Sequence, residues 1–253
     1  MVMSGPPEGP AAVWDSLDAG LEAALGPLRR SELPRTVLFS GGVDSSLLAW
    51  ELRTHRALHL LTVGTRGSPD LEAGASAASV LGLPVRSAEI TPDVVARLVG
   101  ALERPLAGLD PVGREVLIAL AVGIDASSTR LVVAGQGVDE LFLGYAHFRG
   151  LGPERAAERA REDLDRLLLR DWPRTVEIAE LLGHEIVAPY LAPPFRDVAE
   201  GIPIERRIPA PEPKSLFRAW ARHRGLPERI AMRPKRALQY GSGIGRLVRR
   251  RRA

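Results

Sequence analysis

The 253-residue sequence predicts an α/β fold, a parallel twisted sheet carrying helices on both faces. Three observations predict it. Short apolar runs alternate with amphipathic stretches of helical length from Met1 to Gly150. Two of those runs stop at glycine turns that open helices, and parallel sheets of this kind hold ligands at the carboxyl ends of their strands. The composition, 45% hydrophobic and 26% charged, is that of a globular chain.

Trp14, Leu17, Leu21, Leu25 and Leu28 recur at helical spacing and predict an amphipathic helix that Arg29 and Arg30 close, as the helix dipole prefers. The apolar run Thr36–Phe39 is the first expected strand, and Leu48 and Leu52 lie one turn apart on a helix running toward Arg53. Ala57–Val63 is the second strand, stopped by the loop Gly64–Asp70; Leu71–Leu81 reads as an alanine-rich helix and Pro84–Ile90 as the third strand. Helices over about Asp93–Leu102 and Gly113–Ala126 lead to a fourth strand, Arg130–Ala134. A glycine junction and a helix with Leu141, Phe142 and Tyr145 come next. Beyond Gly150 the texture changes: Pro153–Asp171 and Arg174–Leu182 read as helices, and the rest is proline-rich with short helices.

The most informative string is Ser40-Gly41-Gly42-Val43-Asp44-Ser45-Ser46, directly behind the first strand. A strand that turns at glycines into a helix leaves backbone N–H groups without helical partners, and these together with the dipole favour a phosphate. Gly41 and Gly42 let the backbone approach closely and the serine hydroxyls add donors. Asp44 would repel that phosphate unless a divalent cation lay between them, so the string asks for a nucleotide with magnesium. The plainer reading is a capped helix after a tight turn, since Ser and Asp are ordinary N-caps. A second junction, Gly135-Gln136-Gly137-Val138-Asp139-Glu140, repeats the arrangement. From adjacent strands, Asp44 and Asp139 could reach one magnesium ion. Residues 1–150 are thus expected to form a nucleotide-binding core, and 151–253 a mainly helical portion that completes the site.

No Gly-Lys-Ser/Thr follows the first string, so it is not a Walker loop. It resembles the PP-loop of the ATP pyrophosphatases, whose adenine nucleotide alpha hydrolase-like fold agrees with the alternation above. Their members split ATP between the alpha and beta phosphates. The resemblance narrows when Gly67-Ser68-Pro69-Asp70, the Gly-x-Gly-x-Asp-Glu string and Phe142-Leu143-Gly144-Tyr145 are added. Gly183-His184-Glu185 with Pro189-Tyr190-Leu191, Lys214-Ser215-Leu216-Phe217-Arg218 and Arg233-Pro234-Lys235 complete it. In that order these motifs are similar to the synthetase domain of asparagine synthetase, a family that also contains beta-lactam synthetase, over roughly residues 14 to 245. Lys214 and Lys235 are the only lysines among 34 basic residues, and both fall on family lysines.

The resemblance implies that Ser40, Gly41, Gly42, Ser45 and Ser46 hold the pyrophosphate end of ATP, with Asp44 and Asp139 on magnesium. Phe39, Val63 and Gly135 would form the adenine pocket. Lys214 would meet the pyrophosphate and Lys235 the alpha-phosphate, where preplaced cations stabilise the charge that builds as pyrophosphate leaves. A carboxylate would attack the alpha-phosphate, and ammonia or another amine would then displace AMP to leave an amide.

Three departures from the family pattern bear on this. Gln136 stands where asparagine synthetase has the Glu thought to handle the ammonia proton; an amide cannot take a proton, so Glu185 becomes the candidate base. Val187 replaces an Arg and Ala192 an Asp, which puts aspartate in doubt as the carboxylate. The glutaminase half and its nucleophilic Cys have no counterpart in a sequence without cysteine. A stand-alone form is therefore expected, fed by free ammonia, another amine or a separate glutaminase subunit.

Other readings stay open. The net charge is +3, but Arg246, Arg249, Arg250, Arg251 and Arg252 account for more than all of it. They read as a solvated helix end or as a clamp on nucleic acid, and the second would suit a PP-loop enzyme acting on tRNA. A non-catalytic nucleotide-binding subunit is the third reading. The absence of cysteine excludes disulfides, thiolate metal sites and thiol nucleophiles. With no long apolar run or leader, the expected setting is the cytoplasm rather than a membrane. His147 and His184 are expected to be structural or exposed.

Overall fold

The computed structural model describes residues 10–208, 212–234 and 241–245. In chain order, α1 (Pro10–Arg30) precedes β1 (Arg35–Leu38), α2 (Val43–Leu52), β2 (Leu58–Gly64), α3 (Pro69–Leu81) and β3 (Val85–Glu89). Next come α4 (Pro92–Ala101), α5 (Glu103–Leu106), α6 (Pro111–Asp125), β4 (Leu131–Val133) and α7 (Val138–Leu141). The chain continues through α8 (Pro153–Arg166), α9 (Trp172–Leu181), β5 (Glu185–Val187) and α10 (Pro193–Gly201). The short α11 (Ile204–Arg207), α12 (Ser215–His223) and α13 (Glu228–Ala231) follow. Among the described residues no helix is long and apolar enough to cross a membrane.

These elements form two compact units, each assembled from separate stretches of chain. The sheet unit comprises the described residues of Leu33–Ala134, Arg170–Val187 and Leu226–Ala253, and the helical unit those of Met1–Glu32, Gly135–Leu169 and Ala188–Gly225.

In the sheet unit all five strands are parallel, in the order β3-β2-β1-β4-β5. Central β1 pairs Val37 with Leu60 on one side and with Val133 on the other, all three buried, as a strand covered on both faces requires. The chain walks outward from β1 through β2 to β3, then returns to β4 on the opposite side. Because crossovers between parallel strands are right-handed, this reversal puts α2 and α3 on one face and α4, α6 and α9 on the other. The second face is sealed by Leu98, Leu102, Ile118, Val122 and Ile124 against Val132, Ile178 and Ile186. The reversal also makes the carboxyl ends of β1 and β4 the switch point of the sheet, where loops diverge and leave a crevice.

The helical unit buries Leu17, Leu21 and Leu25 of α1, the apolar stripe expected from their spacing. Phe142, Tyr190, Phe195, Phe217 and Trp220 stack on one another at tilted or edge-on angles, with the Trp220 indole donating to Asp18 at 2.7 Å.

Three local expectations need correction. The helix expected through Tyr145 is a single turn, because Leu143 sits at φ 54° in the left-handed region and stops it. The segment Glu185–Val187, within the stretch expected to be proline-rich with short helices, is a fifth strand that continues the sheet through Leu131↔Glu185 and Val132↔Ile186. The helix expected over Pro153–Asp171 is α8 followed by a π-helical turn, Leu167–Asp171.

Candidate functional site

In the sheet unit the first glycine junction is built as its residues suggest. Phe39, buried, extends β1 by donating its N–H to Leu61 O at 2.8 Å, while the Thr62 hydroxyl donates to Phe39 O at 2.6 Å. Gly41 turns the chain at φ 68°, and a Cβ there would overlap the Ala73 carbonyl of α3, so both conformation and space require glycine. The Ser45 hydroxyl accepts from Ser40 N–H at 3.2 Å, and the Ser40 hydroxyl from Gly42 N–H at 3.3 Å. The helical ladder of α2 begins with Ser46 N–H to Gly42 O at 3.0 Å. The amides before it therefore point out of the helix end, and no side chain caps Gly42.

The Ser46 hydroxyl is buried and has no hydrogen-bond partner among the described residues. A donor left in this way beside a helix start fits a phosphate oxygen, and it is the feature that distinguishes the junction from an ordinary capped turn. Asp44 is half-buried in the first turn of α2. From the end of α13, Arg233 donates Nη1 to Ser40 O at 3.1 Å. Val63 is half-buried on β2, and Glu185 is exposed at the start of β5, its N–H bonded to Arg130 O at 2.8 Å.

In the helical unit Asp139 and Lys214 come together, and Gly135 lies directly behind β4. Gly137, at φ 103°, opens the one-turn α7, which carries Asp139 and Glu140. Lys214 Nζ lies 2.7 Å from Asp139 Oδ1, with the Lys214 side chain 1% exposed and that of Asp139 22% exposed. Lys214 itself is at φ 59°, a backbone conformation that costs a non-glycine residue about 1–2 kcal/mol and that clusters at functional positions. Gly144 makes the pair possible: a Cβ there would overlap both the Asp139 carboxylate and the Lys214 stem.

Next to the pair, Glu140 is buried and accepts from the Tyr145 hydroxyl at 2.5 Å. Burial first, then the neighbouring Asp139 charge, pushes the Glu140 carboxyl from the ordinary 4.5 up to about 7, against the lowering effects of Tyr145 and Lys214. Burial and the Glu140 charge likewise raise the Tyr145 hydroxyl well above its ordinary range. The Gln136 side-chain carbonyl is buried without a partner among the described residues. Arg207 donates to Leu141 O, the last carbonyl of α7, at 3.1 Å.

His147 pairs with the buried Asp163 at 2.6 Å, and His184 Nδ1 lies 3.0 Å from Thr129 O, the structural roles expected of them. Lys235, Gln239, Tyr240 and the five arginines from Arg246 to Arg252 lie outside the described residues. Glu140, Tyr145 and Arg233 stand out: Tyr145 has the hydrogen-bonding part expected of it, while Glu140 and Arg233 have no role that the sequence assigns. The first two lie in the strings Gly135–Glu140 and Phe142–Tyr145, and the signal that points to them is an acid and a phenol five residues apart behind a glycine turn. Arg233 was visible only as the neighbour of Lys235.

The asparagine synthase family model matches residues 16–185 and 152–251 of the chain. An asparagine synthetase (glutamine-hydrolyzing) of Asparagus officinalis is 27% identical over 264 residues, covering 93% of this chain and 44% of that protein. Asparagine synthetase (glutamine-hydrolyzing) 2 of Oryza sativa subsp. japonica is 28% identical over 254 residues, covering 90% and 42% respectively. The chain thus spans less than half the length of these curated relatives. Among solved structures, an NH3-dependent NAD synthetase from Campylobacter jejuni matches with a TM-score of 0.39 and 17% identity, over 67% of this chain and 91% of that one.

Proposed function

The chain belongs to the asparagine synthase family, and on that premise we propose that it is an ATP-dependent amide synthetase that forms AMP and pyrophosphate. In this reading a carboxylate oxygen of the acceptor, aspartate or another acid, attacks the alpha-phosphorus of ATP and pyrophosphate leaves with the bonding electrons. Ammonia or another amine then adds to the acyl carbon, AMP departs, and the nitrogen sheds a proton. The observation that supports it most is the Lys214–Asp139 pair: a buried cation, locked at φ 59°, against a partly exposed carboxylate. A buried lysine is held in place at a cost, and a cation preplaced for a leaving pyrophosphate stabilises the transition state more than the ground state.

The loop residues Ser40, Gly41, Gly42, Ser45 and Ser46 fit a polyphosphate, on the evidence of the unpartnered Ser46 hydroxyl and the Cβ-free turn at Gly41. Asp44 and Asp139 are the carboxylates proposed for magnesium, whose hard character suits oxygen donors and whose charge would offset that of the phosphates. Phe39, Val63 and Gly135 are proposed for the adenine, Lys235 for the alpha-phosphate and Glu185 for the base. Lys214 would meet the departing pyrophosphate.

The test is release of AMP and pyrophosphate from magnesium-ATP with ammonium, aspartate being screened beside other amino and keto acids. Equal release of both products with at least one acid is the expected result, lost in Lys214→Met. Silence across the panel from protein that still binds ATP would sink the synthetase reading.

A further inference from the structure

Arg233 is absent from the roles assigned above, yet it touches the phosphate loop directly. It follows α13, whose Ile230 and Ala231 are buried, and its own N–H bonds back to Ile230 O at 3.2 Å. The guanidinium is thereby delivered to the carboxyl end of β1, where Nη1 donates to Ser40 O at 3.1 Å. We propose that Arg233 is a positioning residue of the phosphate loop, which fixes the Ser40–Gly41 peptide so that the Gly41 N–H serves a polyphosphate.

A peptide unit is planar and trans, so holding the Ser40 carbonyl in one direction holds the Gly41 N–H in the opposite one. The turn there is left-handed, φ 68° at Gly41, and glycine leaves such a turn free to swing unless something outside it holds on. The side chains of the loop, Ser40 and Ser45, bond the N–H groups of Gly42 and Ser40 and leave this carbonyl to a cation from outside. A guanidinium on a carbonyl polarises the attached N–H as well as orienting it, and it keeps its charge at any working pH. The inference rests on the proposed use of the loop for ATP, and it predicts a residue that acts on the phosphate end of the nucleotide while leaving the nucleoside alone.

Calorimetric titration of the full chain with magnesium pyrophosphate, magnesium-ATP and adenosine separates the possibilities, using Arg233→Met and Arg233→Lys. Arg233→Met is expected to weaken pyrophosphate and ATP at least tenfold and adenosine less than twofold, with Arg233→Lys regaining part of the pyrophosphate affinity. Parallel losses for adenosine and pyrophosphate would mark a merely structural residue and overturn the proposal. Unchanged pyrophosphate affinity in Arg233→Met would overturn it while leaving the synthetase reading intact, whereas wild-type protein that binds neither pyrophosphate nor ATP would end both.

Discussion

Glu140→Gln is expected to stabilise the protein at pH 8 and to do little at pH 4.5. The Glu140 carboxyl is buried beside Asp139, and both push it up to about 7 in the folded protein from the ordinary 4.5. An acid whose folded value is raised costs no stability below its unfolded value, where both states are protonated. The penalty then grows through the window between about 4.5 and about 7 and is complete above it. The interval corresponds to about 3 kcal/mol, at about 1.4 kcal/mol for each tenfold change, and is an upper figure for a carboxyl flanked by other charges. Glutamine removes the ionisation while its side-chain oxygen still accepts from Tyr145. Thermal unfolding of metal-free wild type and Glu140→Gln between pH 4.5 and pH 8.5 isolates the effect, since groups remote from residue 140 contribute equally to both proteins. At about 2–4 °C per kcal/mol for a chain of this size, the gain at pH 8 should be several degrees. Parallel pH profiles for the two proteins would refute the account of Glu140 as a buried carboxyl ionising late.

Ser46→Ala removes a buried hydroxyl that no described residue satisfies, so stability should hold or rise by up to about 1 kcal/mol, while pyrophosphate affinity falls; chemical denaturation and titration calorimetry read the two effects. Gly41→Ala forces a Cβ against the Ala73 carbonyl at φ 68° and should cost at least about 1–2 kcal/mol together with ATP binding, measured by thermal shift with and without nucleotide. Gly144→Ala should separate Lys214 from Asp139 and abolish pyrophosphate release, and an unchanged rate would show that the ion pair is not needed for the reaction.

The sequence exposed those parts of the fold whose physics is local. Thr36–Phe39 and Ala57–Val63 read as strands because they are apolar runs bounded by turn residues, and Leu17, Leu21 and Leu25 as a helix face because their spacing is helical. β5 was hidden: three residues behind a histidine show no period, and Glu185–Val187 become a strand only because β4 offers its open edge. The stop of α7 was hidden for a related reason. Nothing in Leu143 announces φ 54°; the residue takes that conformation while its side chain is buried with Phe148, Ala156 and Ala160.

The same division runs through the candidate site and explains which residues were found. Glycine turns and helix starts are written in consecutive residues, so Ser40–Ser46 and Gly135–Glu140 could be recognised as anion-binding junctions from their order alone. The importance of Glu140 depends instead on burial, which the sequence does not state, and that of Arg233 on a contact 193 residues from its acceptor. Lys214 lies between the two cases. Its identity was conspicuous in a chain that otherwise uses arginine, but its hold on Asp139 required the missing Cβ of Gly144. The small residue in the motif Phe142-Leu143-Gly144-Tyr145 is therefore as much a part of the ion pair as the charges are. Substituting it should act on the reaction through geometry, with no charged group altered.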